Sequence, residues 1–212
     1  MKQGLFITME GPDGAGKSTQ LAFIRNHLLS RGVDALFTRE PGGTQISEKI
    51  RRLILDKKNA EMVPMTEALL YAAARAQHVA QVIKPAIGRG RTVVCDRYVD
   101  SSIAYQGYGR NLGESVTIIN DFAIDGCIPD VTFLLKIKPS VAISRISDKD
   151  QDRLEIETGG FHAAVYEGYL ALEKKYPGRI VGIDADRDIE EISREIAGHL
   201  DRLLDERNPS GL

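Results

Sequence analysis

The sequence predicts an α/β fold in three layers, with a five-stranded parallel sheet covered by helices on both faces. Five runs of four to seven mostly β-branched or aliphatic residues have strand length, and the stretches between them repeat their apolar residues at helical spacing. Between the first strand and the first helix, Gly11-Pro12-Asp13-Gly14-Ala15-Gly16-Lys17-Ser18 fills the pattern G-x-x-x-x-G-K-[ST] of a phosphate-binding loop. Right-handed crossovers then bring every strand's C-terminal end to one sheet edge, where open α/β sheets bind ligands.

In chain order, Leu5-Phe6-Ile7-Thr8-Met9 is the first strand. The loop glycines let the backbone curl until several N–H groups point into one hollow, where the following helix adds its positive end. That helix shows Leu21, Ile24 and Leu28 on one face and Gly32 as its stop. Residues 33–38 form the second strand, ended by Pro41-Gly42-Gly43, and residues 47–55 a helix carrying Arg51. Thr66 reads as the N-cap of a long Ala-rich helix through Tyr71, Arg75 and His78 to about residue 87, closed by Gly88 and Gly90. Thr92-Val93-Val94-Cys95 is the third strand and runs into Asp96-Arg97-Tyr98. Helices follow at 101–108 and 114–124, the fourth strand at 131–135 and a short helix at 140–146. Residues 147–153 carry almost no apolar side chain and are expected outside the core. A helix at 161–176, the fifth strand at 180–183 and an amphipathic helix marked by Ile189, Ile192, Ile196, Leu200 and Leu203 complete the chain, with a frayed end from 207 to 212.

Bulk numbers narrow the function. The 212 residues suit one domain spanning 1–212. With 28 Lys and Arg against 30 acids there is no basic footprint of a nucleic-acid binder, and no apolar run or leader points to a membrane. A cytoplasmic protein is expected. Cys95 and Cys127, without a C-x-x-C or a nearby His, favour a reduced structural role over a disulfide or a metal site.

The motifs supply chemistry. Lys17 would reach the outer phosphates of a nucleotide, and Ser18 would hold a bridging Mg²⁺. An apolar strand ending in Asp96 is the pattern that offers a carboxylate to the water shell of that ion, the alternative being a cap for the next helix. Arg39, Arg51, Arg75 and Arg97 come from segments opening towards the same edge, so a second anion belongs beside the first. A phosphate-bearing acceptor next to a γ-phosphate describes a nucleoside monophosphate kinase. A P-loop switch or partner-binding ATPase would need a group to aim water, and none is visible; a kinase for another nucleotide or nucleoside is the nearer rival.

Three stretches taken together, 10–19 (Glu10 to Thr19), Thr38-Arg39-Glu40-Pro41-Gly42-Gly43-Thr44 and 96–107 (Asp96 to Gly107), resemble thymidylate kinases in their bacterial form. The resemblance implies a P-loop NTPase fold with a mobile lid at about 147–158, transfer of phosphate from ATP to dTMP, a Mg²⁺ requirement and a homodimer. It assigns Gly11, Pro12, Asp13, Gly14, Ala15, Gly16, Lys17, Ser18, Thr19 and Arg145 to ATP, and Ser18 and Asp96 to the metal. Asp13 matches the position facing the dTMP sugar, Arg39 and Arg97 the phosphate-organising positions, and Arg51 the grip on the dTMP phosphate. Arg75, Ser102 and Gln106 match the positions facing the polar edge of thymine, and Tyr105 lies over the acceptor. Tyr71 stands where the family commonly has a stacking Phe, and Asp184-Ala185-Asp186 with Arg145 match the adenine side. Members of this family carry the catalytic cation either in the loop or in the lid. This loop contains no Arg, so the resemblance implies that the lid closes over ATP and brings Arg153, helped by Lys149, to join Lys17, Arg97 and Asp96 in the catalytic set. The alternative is a solvated loop whose charges pair locally.

Overall fold

The computed structural model describes residues 4–145 and 152–207. Strands β1 (Phe6–Glu10), β2 (Ala35–Arg39), β3 (Thr92–Asp96), β4 (Val131–Lys136) and β5 (Ile180–Asp184) form one parallel sheet in the order β2-β3-β1-β4-β5. The helices are α1 (Lys17–Ser30), α2 (Gln45–Leu55), α3 (Pro64–His78), α4 (Lys84–Gly88), α5 (Val99–Ser102), α6 (Glu114–Ile124), α7 (Pro139–Arg145), α8 (Gly159–Lys175) and α9 (Ile189–Arg207). β1 and β3 are neighbours whose outgoing connections run in opposite directions along the sheet, so a crevice opens between their C-terminal ends. There Met9 pairs with Asp96, and Asp96 with Arg39.

Every residue of β1 is buried, as expected of a central parallel strand with both faces covered. Its side chains alternate: Ile7 and Met9 join one core with Ile24, Leu28, Phe133, Ile183, Ile196 and Leu200, whereas Phe6 enters another with Ile83, Val93 and Cys95. A third cluster under α8 holds Leu134, Tyr105, Phe161 and Tyr169. Cys95 and Cys127 are free and buried.

Local chemistry moves several boundaries from their expected places. β2 begins at Ala35 and not at residue 33, because Gly32 N–H donates to Leu29 O (3.0 Å) and Val33 N–H to Leu28 O (2.9 Å), which spends those residues on closing α1. Thr66 is not a cap: α3 starts with Pro64 at its first position, where the missing N–H costs no hydrogen bond. The long helix also changes geometry, running as π-helix over Val79–Ile83 before α4. Pro85 explains this, since it cannot donate to the carbonyl one turn back and its ring crowds that turn. A second π segment, Ile103–Gly109, replaces the regular helix expected at 101–108. It lies so close to α8 that a Cβ on Gly109 would stand 2.6 Å from the Phe161 ring.

Phe133 is fully buried at the centre of the first core. Phe133→Ala is expected to cost about 3–5 kcal/mol, the range for removing a buried aromatic. Urea denaturation measures it, and a midpoint unchanged from the parent would contradict this packing.

Candidate active site

The loop after β1 closes against the rest of the sheet edge. Gly11, Gly14 and Gly16 all have positive φ (136°, 80° and 90°), and a Cβ on Gly14 would meet the Ala142 carbonyl oxygen at 2.3 Å. Any side chain at position 14 would thus meet both strain and a backbone clash. Gly16 offers no side-chain cap and no acid stands in the first turn of α1, so the helix N–H groups and their field stay available to an anion. Ser18 and Thr19 are exposed at that end. Lys17 is folded back: its Nζ donates to the carbonyls of Gly11 (3.0 Å) and Pro12 (2.9 Å) and lies 3.5 Å from Asp13 Oδ1. Burial, followed by the nearby Arg97 charge, holds its pKa below the ordinary lysine value.

Arg97, at the end of β3 with φ of 64°, projects across to the loop. Its Nη2 donates to Asp13 Oδ1 (2.6 Å) and Tyr105 OH (3.2 Å), and its Nη1 to Ser101 Oγ and Tyr169 OH, both at 3.2 Å. Burial disfavours charge on Asp13, yet Arg97 and Lys17 outweigh it and hold the carboxyl well below the usual carboxylate range. Behind Arg97, the buried Glu10 accepts from Tyr98 N–H (2.7 Å), Ser101 Oγ (2.5 Å) and Tyr169 OH (3.0 Å). Burial, with the Asp100 charge second, pushes the Glu10 carboxyl up to about 7.

On the far side of the crevice the buried Arg75 spends four of its five N–H groups inside the protein. Nε donates to Glu40 Oε2 (2.8 Å), Nη1 to Ser102 Oγ (2.9 Å) and to Asn120 Oδ1, and Nη2 to the Tyr98 carbonyl (3.0 Å). Glu40 is shared with His78 Nδ1 (3.0 Å), whose Nε2 pairs with Thr38 Oγ1 (2.8 Å). Arg39 and Arg51 both donate to the Pro41 carbonyl (2.9 and 3.1 Å), and Arg39 also to Glu48 (3.0 Å). Thr44 caps α2 by accepting from Ser47 N–H (3.0 Å), which fixes the helix that carries Arg51. Tyr71 is half-buried, and its hydroxyl makes no hydrogen bond among the described residues.

These groups border one cavity of about 480 Å³. Lys17, Ser18 and Asp96 line it, as do Arg75, its hydrogen-bonded neighbour Ser102, and Gln106, together with Asp13, Arg39, Arg51, Arg97, Tyr71 and Tyr105. Arg145 reaches it too, donating to Ala185 O and Asp186 Oδ1, both at 3.1 Å. Gly11, Pro12, Ala15 and Thr19 belong to the loop without lining the cavity.

Arg153, expected to meet the phosphates when the lid closes over ATP, is buried in the described arrangement with Nε on the Ile54 carbonyl (2.9 Å) and Nη2 on Glu67 (2.5 Å). Arg97 is the guanidinium that lies against the loop here. Residues 152–153 were expected outside the core, but Glu67 supplies a buried counter-charge that lets Arg153 leave water. Lys149 lies outside the described residues. Sequence reasoning missed Glu10, Glu40, Glu67 and Tyr169, the partners that hold the arginines; only Glu10 and Glu40 carried a signal, inside the motifs.

Among the described residues, no group of three or more His, Cys, Asp or Glu side chains could hold a metal by itself. Asp96 Oδ1 is nonetheless buried without a hydrogen-bond partner among those residues. An ion that brings water and phosphate ligands of its own suits one free carboxylate oxygen and an exposed hydroxyl.

A family model described as thymidylate kinase matches residues 9–196. The chain is 48% identical over 204 residues to a thymidylate kinase of Clostridium novyi, covering 94% of this chain and all of that one. It is 50% identical over 207 residues to a thymidylate kinase of Lactobacillus acidophilus, covering 95% and 96% of the two chains. A crystal structure of thymidylate kinase from Ehrlichia chaffeensis superposes with a TM-score of 0.76 at 32% identity, over 94% of this chain and 99% of that one.

The Glu10 geometry has a pH consequence. Between its ordinary 4.5 and about 7, the unfolded chain has released the proton while the folded chain retains it, so stability falls as pH rises through that window. Glu10→Gln is expected to flatten the slope, and carbon-13 NMR of the Glu10 carboxyl should show a midpoint near 7. A midpoint at the ordinary value, with identical slopes in both proteins, would contradict this.

Proposed function

The chain belongs to the thymidylate kinase family, and from that premise we propose that it moves the γ-phosphoryl group of ATP onto the phosphate of dTMP, giving ADP and dTDP. The observation carrying this reading is one cavity lined together by the phosphate loop, by hydrogen-bonding groups that suit a base and by the arginines Arg39, Arg51, Arg75 and Arg97.

In this reading the loop N–H groups and Lys17 take the ATP phosphates, Lys17 exchanging its two loop carbonyls for phosphate oxygens. Arg145, beside Asp186, lies against adenine. Arg51 grips the dTMP phosphate, with Arg39 alongside. Arg97, already oriented by Asp13, neutralises charge that spreads over the transferring group. Tyr105 and Asp13 form the wall facing the dTMP sugar, and Tyr71 presents its ring to the base. Mg²⁺ held by Ser18 and Asp96 would supply charge neutralisation between the phosphates. Closure of the lid over ATP would bring Arg153, with help from Lys149, against the transferring phosphate, in exchange for the Glu67 pairing that Arg153 makes in the described arrangement.

The reading includes a homodimer. Leu69 on α3 and Ile118 and Phe122 on α6 are exposed, Phe122 by 83%, on two helices packed against each other. A second copy of the chain is the occupant that the family resemblance implies for such a face. No described helix is long and apolar enough to cross a membrane, and the reading places the enzyme in the cytoplasm.

Lys17→Ala and Asp96→Ala are each expected to lower kcat by about 10²–10³, the loss for one preorganised charge at the transition state. Stability should persist, and Asp96→Ala should hold or gain, since its buried oxygen has no partner to lose. A coupled ADP-release assay at saturating dTMP, alongside urea melts, decides it: near-normal turnover in either variant contradicts the reading. Sedimentation velocity tests the assembly. A dimer that Phe122→Lys converts to monomer is expected, and an unchanged mass in that variant would contradict the face.

A further inference from the structure

Glu67, on α3, is completely buried, and each of its oxygens accepts two hydrogen bonds. Oε1 takes Gln106 Nε2 (2.9 Å) and Arg110 Nε (3.3 Å); Oε2 takes Arg110 Nη2 (3.0 Å) and Arg153 Nη2 (2.5 Å). Burial opposes its ionisation, but the hydrogen bonds from Arg110 and Gln106, together with the arginine charges, hold its carboxyl below the ordinary value. Arg110 is itself braced, by Glu157 at 2.6 Å and by the Phe161 ring at 4.7 Å.

An ionised carboxylate accepts and never donates, so only the NH₂ end of the Gln106 amide can face it. The carbonyl end, Oε1, accepts nothing among the described residues, and Gln106 lines the cavity. Beside it, Arg75 has one Nη2 N–H left, and Ser102 Oγ, which accepts from Arg75 (2.9 Å), keeps its own proton to donate. That end of the cavity thus presents one acceptor and two donors.

We propose that Glu67 is a specificity-determining positioning residue: by holding the Nε2 end of Gln106 it turns the amide carbonyl into the cavity and so selects a 4-oxo pyrimidine over a 4-amino pyrimidine. The proposal rests on the base-reading assignment above and names the residue that sets its hydrogen-bond polarity. A 4-oxo pyrimidine offers an imide N–H to Gln106 Oε1 and a carbonyl to Arg75 and Ser102. A 4-amino pyrimidine sets a ring-nitrogen lone pair against Oε1 and an NH₂ group against the two donors, leaving buried polar groups mismatched.

The experiment compares kcat/KM for dTMP, dUMP and dCMP in the parent, Glu67→Gln, Gln106→Ala and the double variant. A Gln at 67 keeps the size but can donate or accept, so the Gln106 amide is free to turn. The parent should prefer dTMP over dCMP by at least about 10⁴, and Glu67→Gln should lower that ratio by at least about tenfold. The dTMP to dUMP ratio, which reports only a methyl contact, should stay within about twofold, and Glu67→Gln should change nothing further in the Gln106→Ala background. Should Glu67→Gln fold poorly, Glu67→Gln with Arg153→Met removes the cation left unpaired, and the same ratios are read there. Equal loss with every nucleotide and an unchanged dTMP to dCMP ratio would make Glu67 merely structural and overturn the proposal. A parent that takes dCMP as readily as dTMP would overturn the base-reading assignment itself.

Discussion

A cavity that collects anions must assemble cations before any anion arrives, and buried cations do not stay unpaired. The fold meets this constraint by placing a carboxylate behind each guanidinium that it buries. Asp13 holds Arg97 at 2.6 Å, Glu40 holds Arg75 at 2.8 Å, and Glu67 holds Arg153 at 2.5 Å and Arg110 at 3.0 Å. Loss of one member of such a buried pair typically costs about 3–5 kcal/mol, because the survivor is left charged in a poor solvent. Asp13 and Glu40 therefore carry structure and preorganisation together, since each fixes an arginine that lines the cavity, whereas Glu67 holds two arginines that do not line it.

The sheet makes this pairing possible. β1 is buried on both faces, so its end cannot slide, and the register that sets Met9 beside Asp96 and Asp96 beside Arg39 brings three motifs to one level. Glu10, the last residue of β1, then collects the N–H groups of Tyr98 and Ser101 from the segment after β3. Arg97 is anchored by that segment through Ser101 and by α8 through Tyr169, so a strand end, a turn and α8 share one hydrogen-bonded unit.

Other contacts around the cavity look provisional. Lys17 bonds to carbonyls of its own loop, and Arg39 and Arg51 share the Pro41 carbonyl, neutral acceptors that an anionic oxygen would outcompete, while Arg39 also bonds to Glu48 and Lys17 lies 3.5 Å from Asp13. Asp96 Oδ1 has no hydrogen-bond partner among the described residues, a local cost of the kind that proteins accept at functional sites. Arg75 and Arg97 are thus held by carboxylates at 2.8 and 2.6 Å, whereas Lys17 and Arg51 lean on backbone carbonyls that a phosphate oxygen can replace.

The sequence by itself determined what depends on neighbours along the chain. Short continuous runs of β-branched and aliphatic residues announced five strands, helical spacing announced the layers around them, and the glycine spacing from Gly11 to Lys17 announced a phosphate loop, since each is a local conformational rule. Boundaries slipped where a second local rule overrode the first, as with the closure of α1 at Gly32 or Pro85 in the long helix. Only the tertiary structure decided which charges meet. Glu40 lies 35 residues from Arg75, and Glu67 lies 86 from Arg153, so no spacing rule joins them. Polarity alone made 152–153 look solvated. Burial of a charged side chain depends on the counter-charge that folding brings to it, and that partner is fixed by the packing of α3 against the chain far downstream.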